Sequence, residues 1–133
     1  EMSIDYSQPL AYHVTLAQEL QFLRERGVLI VGSGNIVHNL QASIPNLSMG
    51  QEHFAYDWAQ EFDTWTIQKL LDKDISSLVD YARAPGGLKS VPTPDHYIPM
   101  LYALALARKD ETVRFTYDEL VYGGISMRCF EIA

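Results

Sequence analysis

Hydrophobic and polar positions change their period several times along the chain, and each change marks an element. Val28–Val31 is a run of four apolar, mostly β-branched residues leading into Gly32-Ser33-Gly34-Asn35. A run that is apolar at every position predicts a short strand buried on both faces, as in a parallel sheet between helices. Before it, Leu10, Val14, Ala17 and Leu20, together with Leu16 and Leu23, recur at helical spacing. They predict a helix over 10–24, opened by Ser7 and Pro9 and closed by Gly27. Ser3–Tyr6 reads as a short strand ahead of it. Downstream, Phe54, Trp58, Phe62 and Trp65 predict a helix over 53–71 whose aromatic stripe belongs to the core. A second helix over 75–83 takes Asp74 as its N-cap. A third opens at Thr93-Pro94-Asp95, reaches about Arg108, and buries Ile98, Leu101, Tyr102 and Ala105. Residues 41–50 and 84–95 carry turn chemistry and predict loops. Thr112–Val121 and Ile125–Ile132, separated by Gly123-Gly124, predict two antiparallel strands.

These elements predict an α/β fold: a central, mostly parallel sheet flanked by helices, with a β-rich C-terminal edge. A hydrophobic share of 47% against 20% charged, over 133 residues, suits a single domain spanning 1–133 with its own core. The net charge of −7 and ten scattered basic residues exclude a nucleic-acid surface, which needs clustered Lys and Arg. No apolar run approaches the roughly 20 residues that a membrane crossing needs. The single cysteine, Cys129, forms no internal disulfide and fits a reducing cytoplasm. The chain opens Glu1-Met2-Ser3-Ile4 within what reads as an element, so a longer polypeptide is expected.

Chemistry concentrates at two histidines. Ligands of open α/β sheets bind at the carboxyl ends of strands, and His38 follows the Val28–Val31 run there. Gly32 and Gly34 permit a tight turn and a close approach of backbone to another group. The glycines fit no nucleotide motif: Val37 stands where a dinucleotide fingerprint needs its third glycine, and no Gly-Lys-Ser/Thr follows. Ser33 lacks the Gly-x-Ser-x-Gly setting of a nucleophile elbow. His96 falls in the first turn of the Pro-braced helix, where it is held with little freedom. Two imidazoles can supply a metal ligand and a general acid/base, and a shared site requires them within about 8 Å along one cleft. His13 reads as a packing or a solvent-facing residue. His53 and Asp57, one turn apart, read as a pair on a helix face.

The stretches SIDYSQPLAYHVTLAQEL, VLIVGSGNIVHNL, FAYDWAQEFD and PTPDHYIPMLYALA, in this order, resemble the class III extradiol ring-cleavage dioxygenases. The nearest branch is the 4,5-DOPA dioxygenase extradiol group. Ser-Gly-Asn-x-Val-His-Asn and Pro-Thr-Pro-x-His-Tyr are the more specific segments, and the resemblance covers the C-terminal half of a family member. It implies a metal-dependent dioxygenase that opens a catechol-type aromatic ring with dioxygen, using Fe(II), with zinc able to take its place. It also implies that His38 is the acid/base and a metal neighbour, and that His96 is a metal ligand. The first metal ligands would lie in an N-terminal half absent from these residues, or in a partner chain. Two other readings stand beside it: a truncated, non-catalytic binding or interaction domain, and a zinc hydrolase using both histidines.

Overall fold

The structure, a computed structural model, describes residues 2–133. Helices come first: α1 (Leu10–Glu19), α2 (Gln21–Glu25), α3 (Leu40–Ser48), α4 (Asp57–Leu71) and α5 (Ile75–Val79). A 3-10 turn (Tyr81–Arg83), α6 (Gly87–Ser90) and α7 (Ile98–Ala105) follow. Four short strands close the chain: β1 (Val113–Tyr117), β2 (Leu120–Val121), β3 (Ile125–Ser126) and β4 (Cys129–Ile132).

The core is built around α7, whose sequence IPMLYALA has almost no polar face. A helix apolar all round must be covered all round, and α7 accordingly joins two clusters. Leu101 and Leu104 meet Phe62 and Leu70 of α4, Leu78 of α5, and Val37. Ile98 and Tyr102 meet Ala17 of α1 and Leu106, with Ile30 packed against them. Tyr97 is fully buried, and its hydroxyl donates to the Leu78 carbonyl at 3.0 Å, which satisfies the phenol.

The mixed α/β character holds, but the central parallel sheet does not form among the described residues. Two small antiparallel sheets stand in its place, β1 with β4 and β2 with β3. Val28–Val31 belongs to no strand. An apolar run becomes a strand only when a second backbone lies alongside to take its hydrogen bonds, and no described residue does so. Ser3–Tyr6 is no strand either: the Asp5 carboxylate accepts from the Ser7 N–H and hydroxyl and turns the chain.

Residues 41–48 are helical rather than a loop, and only 49–50 keep a turn. Asn39 caps α3 by accepting from the Ala42 N–H at 3.0 Å, and the helix carries Pro45 within it. The polar residues that suggest turns are anchors here: buried Asn46 donates to the Tyr122 carbonyl and the Tyr56 hydroxyl. The first helix breaks at Leu20 into α1 and α2, α4 begins at Asp57 rather than His53, and the third ends at Ala105. Asp74 caps α5 as expected, accepting from Ser77 N at 3.1 Å. The 84–95 segment holds the single turn of α6, and the expected terminal strands are each cut in two. His53 pairs with Glu119 at 2.9 Å instead of Asp57, because it precedes the helix that would have aligned the two. No helix among the described residues is long and apolar enough to cross a membrane.

Arg24 ties α2 to the far end of α7: it donates to the Leu106 carbonyl at 2.6 Å and to the Glu111 carboxylate at 2.8 Å. That guanidinium, with the Arg108 N–H adding, holds the Glu111 carboxyl at about 2, below its ordinary value of 4.5. A depressed carboxylate stabilises the fold fully above its unfolded value and loses that contribution as pH falls through the folded one. Stability is therefore expected to fall between pH 4.5 and 2 in part through this pair. Thermal melts of Glu111→Gln across that window should show a shallower slope than the parent chain.

Candidate functional site

Backbone hydrogen bonds fix His38 from two sides. Its N–H donates to the Ser90 carbonyl of α6 at 2.9 Å, it forms an isolated antiparallel bridge with Ile125, and the Asn39 N–H donates to Gly124 at 2.9 Å. The Asn39 side chain caps α3 and donates to the Lys89 carbonyl at 2.8 Å. The loop ahead of α3 is thus pinned to α6 and β3, and the His38 ring is buried.

His96 arrives from the other direction, in the turn before α7, where the Tyr97 and Ile98 N–H groups reach back to Pro94. The close approach permitted by the glycines occurs here. A Cβ on Gly34 would fall on the His96 carbonyl oxygen, and one on Gly32 would lie 2.6 Å from the Pro99 carbonyl oxygen. Only glycine lets the two backbones lie this close. Gly-Ser-Gly therefore serves to seat the His38 loop against the His96 turn.

The imidazole rings stand 5.0 Å apart between centroids, inclined by 31°. Their surroundings differ. His38 Nδ1 lies 3.0 Å from the Asn35 carbonyl oxygen and Nε2 lies 2.8 Å from that of Thr93. Carbonyl oxygens only accept, so both contacts are hydrogen bonds only when each ring nitrogen carries a proton. The His96 side chain is half exposed, and its Nε2 is 3.6 Å from an Asp95 carboxylate oxygen, a charge contact rather than a hydrogen bond. The Thr93 hydroxyl holds the Asp95 carboxyl below the usual carboxylate range, and the two histidines add to this. The anion lies beside the His96 ring. Sequence reading gives Asp95 only a helix-terminus role; its position beside His96 is the one signal of more.

His96 borders an open groove of about 1050 Å³, lined also by residues 27–36 and 127–132. His38 is not among its lining. Arg128 of this lining is held by Asp63, with Nε to Oδ1 at 3.0 Å and Nη2 to Oδ2 at 2.6 Å. His13 is buried, with Nδ1 3.0 Å from the Tyr102 hydroxyl and Nε2 3.1 Å from the Asp5 carbonyl oxygen, a packing arrangement.

Whether these residues can hold a metal is decided by the donor set. His96 offers an accessible imidazole, whereas a metal on His38 would displace one of its carbonyl partners. No group of three or more His, Cys, Asp or Glu able to hold a metal ion occurs among the described residues. Typical protein metal sites use at least three protein ligands, so the described residues do not complete one by themselves.

Residues 7–128 match the family described as the catalytic LigB subunit of aromatic ring-opening dioxygenase. The chain is 33% identical to the 4,5-DOPA dioxygenase extradiol of Escherichia coli (strain K12), over 99% of this chain and 48% of that protein. It is 29% identical to the protein of the same name from Portulaca grandiflora, over 96% of this chain and 47% of that one. A crystal structure of an uncharacterized Escherichia coli K12 protein superposes with a TM-score of 0.81 at 31% identity, covering 96% of this chain and 52% of the other. The chain thus spans about half the length of the relatives it matches. With nearly all of its residues aligned in sequence and in space, it belongs to the family of the catalytic LigB subunit of aromatic ring-opening dioxygenase.

Proposed function

We propose that this chain contributes the C-terminal part of a metal-dependent extradiol site that opens the ring of a catechol-type aromatic with dioxygen. The observation that carries this reading is the His38–His96 pair, 5.0 Å apart and held by two glycines that admit no side chain. His96 is the ligand position, because its ring is accessible and borders the groove. Asp95 orients that ring. Fe(II), or zinc in its place, would be held by His96 together with ligands from the half of the family length not spanned here. Of the two roles implied for His38, its carbonyl contacts support proton transfer over ligation. Nδ1 is anchored locally by Asn35, three residues upstream, while Nε2 depends on the Thr93 loop. Nε2 is therefore the atom that exchanges a proton with a substrate hydroxyl. We place the assembled protein in the cytoplasm, where the exposed Cys129 thiol stays reduced.

The ligand count among the described residues leaves room for a second reading, a binding domain that kept the fold without a metal. Turnover separates the two. The chain, co-expressed with the remaining half of the Escherichia coli relative, is loaded with Fe(II) without air, then given catechol or L-DOPA and oxygen. A yellow ring-opened product is expected. His96→Ala should lose metal and product together. His38→Ala should keep the metal and lower kcat by about 10²–10⁴-fold, the usual worth of a positioned acid/base. Equal metal loss in both variants would make His38 a ligand, and an assembled, metal-loaded protein without product would leave the binding-domain reading.

A further inference from the structure

Residues 28–35, between α2 and α3, lie in neither helix, strand nor turn. From Leu29 to Val37 no backbone N–H has a hydrogen-bond partner among the described residues. The segment is nevertheless seated. Ile30 packs on the Ile98 and Tyr102 side of α7, and Gly32 and Gly34 lie against the Pro99 and His96 carbonyls. Its outward side chains are uncovered, with Leu29 84% and Val31 77% exposed. Alternation of a seated Ile30 with bare Leu29 and Val31 is the pattern of a strand covered on one face only.

A second open edge lines the same groove. Thr112 and Ala133 exchange N–H···O bonds at 2.8 and 3.2 Å, and Val113 is opposite Ile132. In an antiparallel ladder the hydrogen-bonded pairs alternate, so the N–H and C=O groups of Ile132 and Phe130 point away from β1. Residues 127–132 line the same groove as 27–36. The charged residues on those walls are already satisfied within the chain: Arg24 by Glu111, Arg128 by Asp63, Glu131 by Arg114. What remains on offer is unpaired backbone and apolar surface, which an uncharged, apolar strand complements.

We propose that the groove receives a β-strand from the half of the family-length polypeptide that this chain does not span. The strand pairs along Leu29–Ile36, and its half covers Leu29 and Val31. Relatives twice as long supply such a segment: the aligned residues cover 48% of the Escherichia coli protein and 52% of the superposed crystal chain. Because His96 borders the same groove, the docked half arrives beside the candidate ligand. The proposal rests on the family length and the open edges, and it does not require the ring-cleavage reading.

The test is co-expression of this chain with the tagged remaining half of the Escherichia coli relative, read by co-purification and by hydrogen exchange. A one-to-one complex is expected. Amides 29–36 should exchange freely in the chain alone and slow by about a hundredfold or more in the complex, as paired strand amides do. Val31→Pro, which removes an N–H that has no partner among the described residues, and Leu29→Asp, at an 84% exposed position, should each weaken co-purification at least tenfold without changing the chain's own circular dichroism. A complex that survives both substitutions would place the other half elsewhere. Failure to form any complex would overturn the proposal. So would protection of these amides in the chain alone with a dimeric mass, which would make a second copy the occupant. A complex that forms but turns over no catechol would contradict only the function.

Discussion

Asp63→Ala is expected to destabilise this chain by about 3–5 kcal/mol, the cost of leaving one partner of a buried ion pair alone. Asp63 and Arg128 are each only 7% exposed and meet through two parallel hydrogen bonds, which adds geometric fit to charge attraction. The guanidinium also stacks over the Phe115 ring at 5.0 Å, and the Ser126 hydroxyl donates to Asp63 at 3.3 Å. The pair thus fastens α4 to the stretch between β3 and β4. Without Asp63, Arg128 would keep its positive charge largely buried, with only Asp118, 3.9 Å away and largely exposed, to face it. The double change Asp63→Leu with Arg128→Met should recover most of the loss, because removing both charges removes the desolvation cost as well. Urea unfolding of the single and double variants measures this. A double variant as unstable as Asp63→Ala would show that packing, not the unpaired charge, sets the cost.

Gly34→Ala should have the second large effect, and it strikes the site itself. The added methyl would fall on the His96 carbonyl oxygen, backbone that cannot rotate away. Overfilling of this kind costs about 1–3 kcal/mol when neighbours shift. Here the shift separates the His38 loop from the His96 turn. Turnover of the assembled protein should therefore fall further than the loss of stability alone explains. Gly27→Ala provides the contrast: a Cβ there meets nothing within 4 Å, so the cost comes only from its positive φ of 75°. If Gly34→Ala matched Gly27→Ala in activity and in melting temperature, the close approach would have no functional weight.

The site was more legible in the sequence than the sheet. Gly32 and Gly34 announced a close backbone approach, and His38 and His96 each followed a constrained turn; these are local signals, readable without knowing the partner. The aromatic stripe of α4 and the Asp74 cap are local in the same sense. The Val28–Val31 run shows the limit: its composition is that of a strand, yet a strand is defined by a neighbour that no described residue supplies. Residues 41–50 mislead for another reason. Asn39, Ser43 and Asn46 look like turn formers, but Asn39 caps α3, Ser43 bonds back to the Asn39 carbonyl one turn earlier, and Asn46 reaches across the fold to the Tyr122 carbonyl. Long-range use of a polar side chain leaves no periodic trace. The two carbonyls that surround the His38 ring are backbone groups, and composition cannot reveal them.

Nuclear Overhauser contacts between the two imidazole rings, in the chain carrying labelled histidines, most directly test whether this half alone assembles the His38–His96 pair. With ring centroids 5.0 Å apart, ring-to-ring contacts are expected in the parent chain and should vanish in Gly34→Ala. Rings that show contacts only to separate surroundings in the parent chain would contradict the shared site.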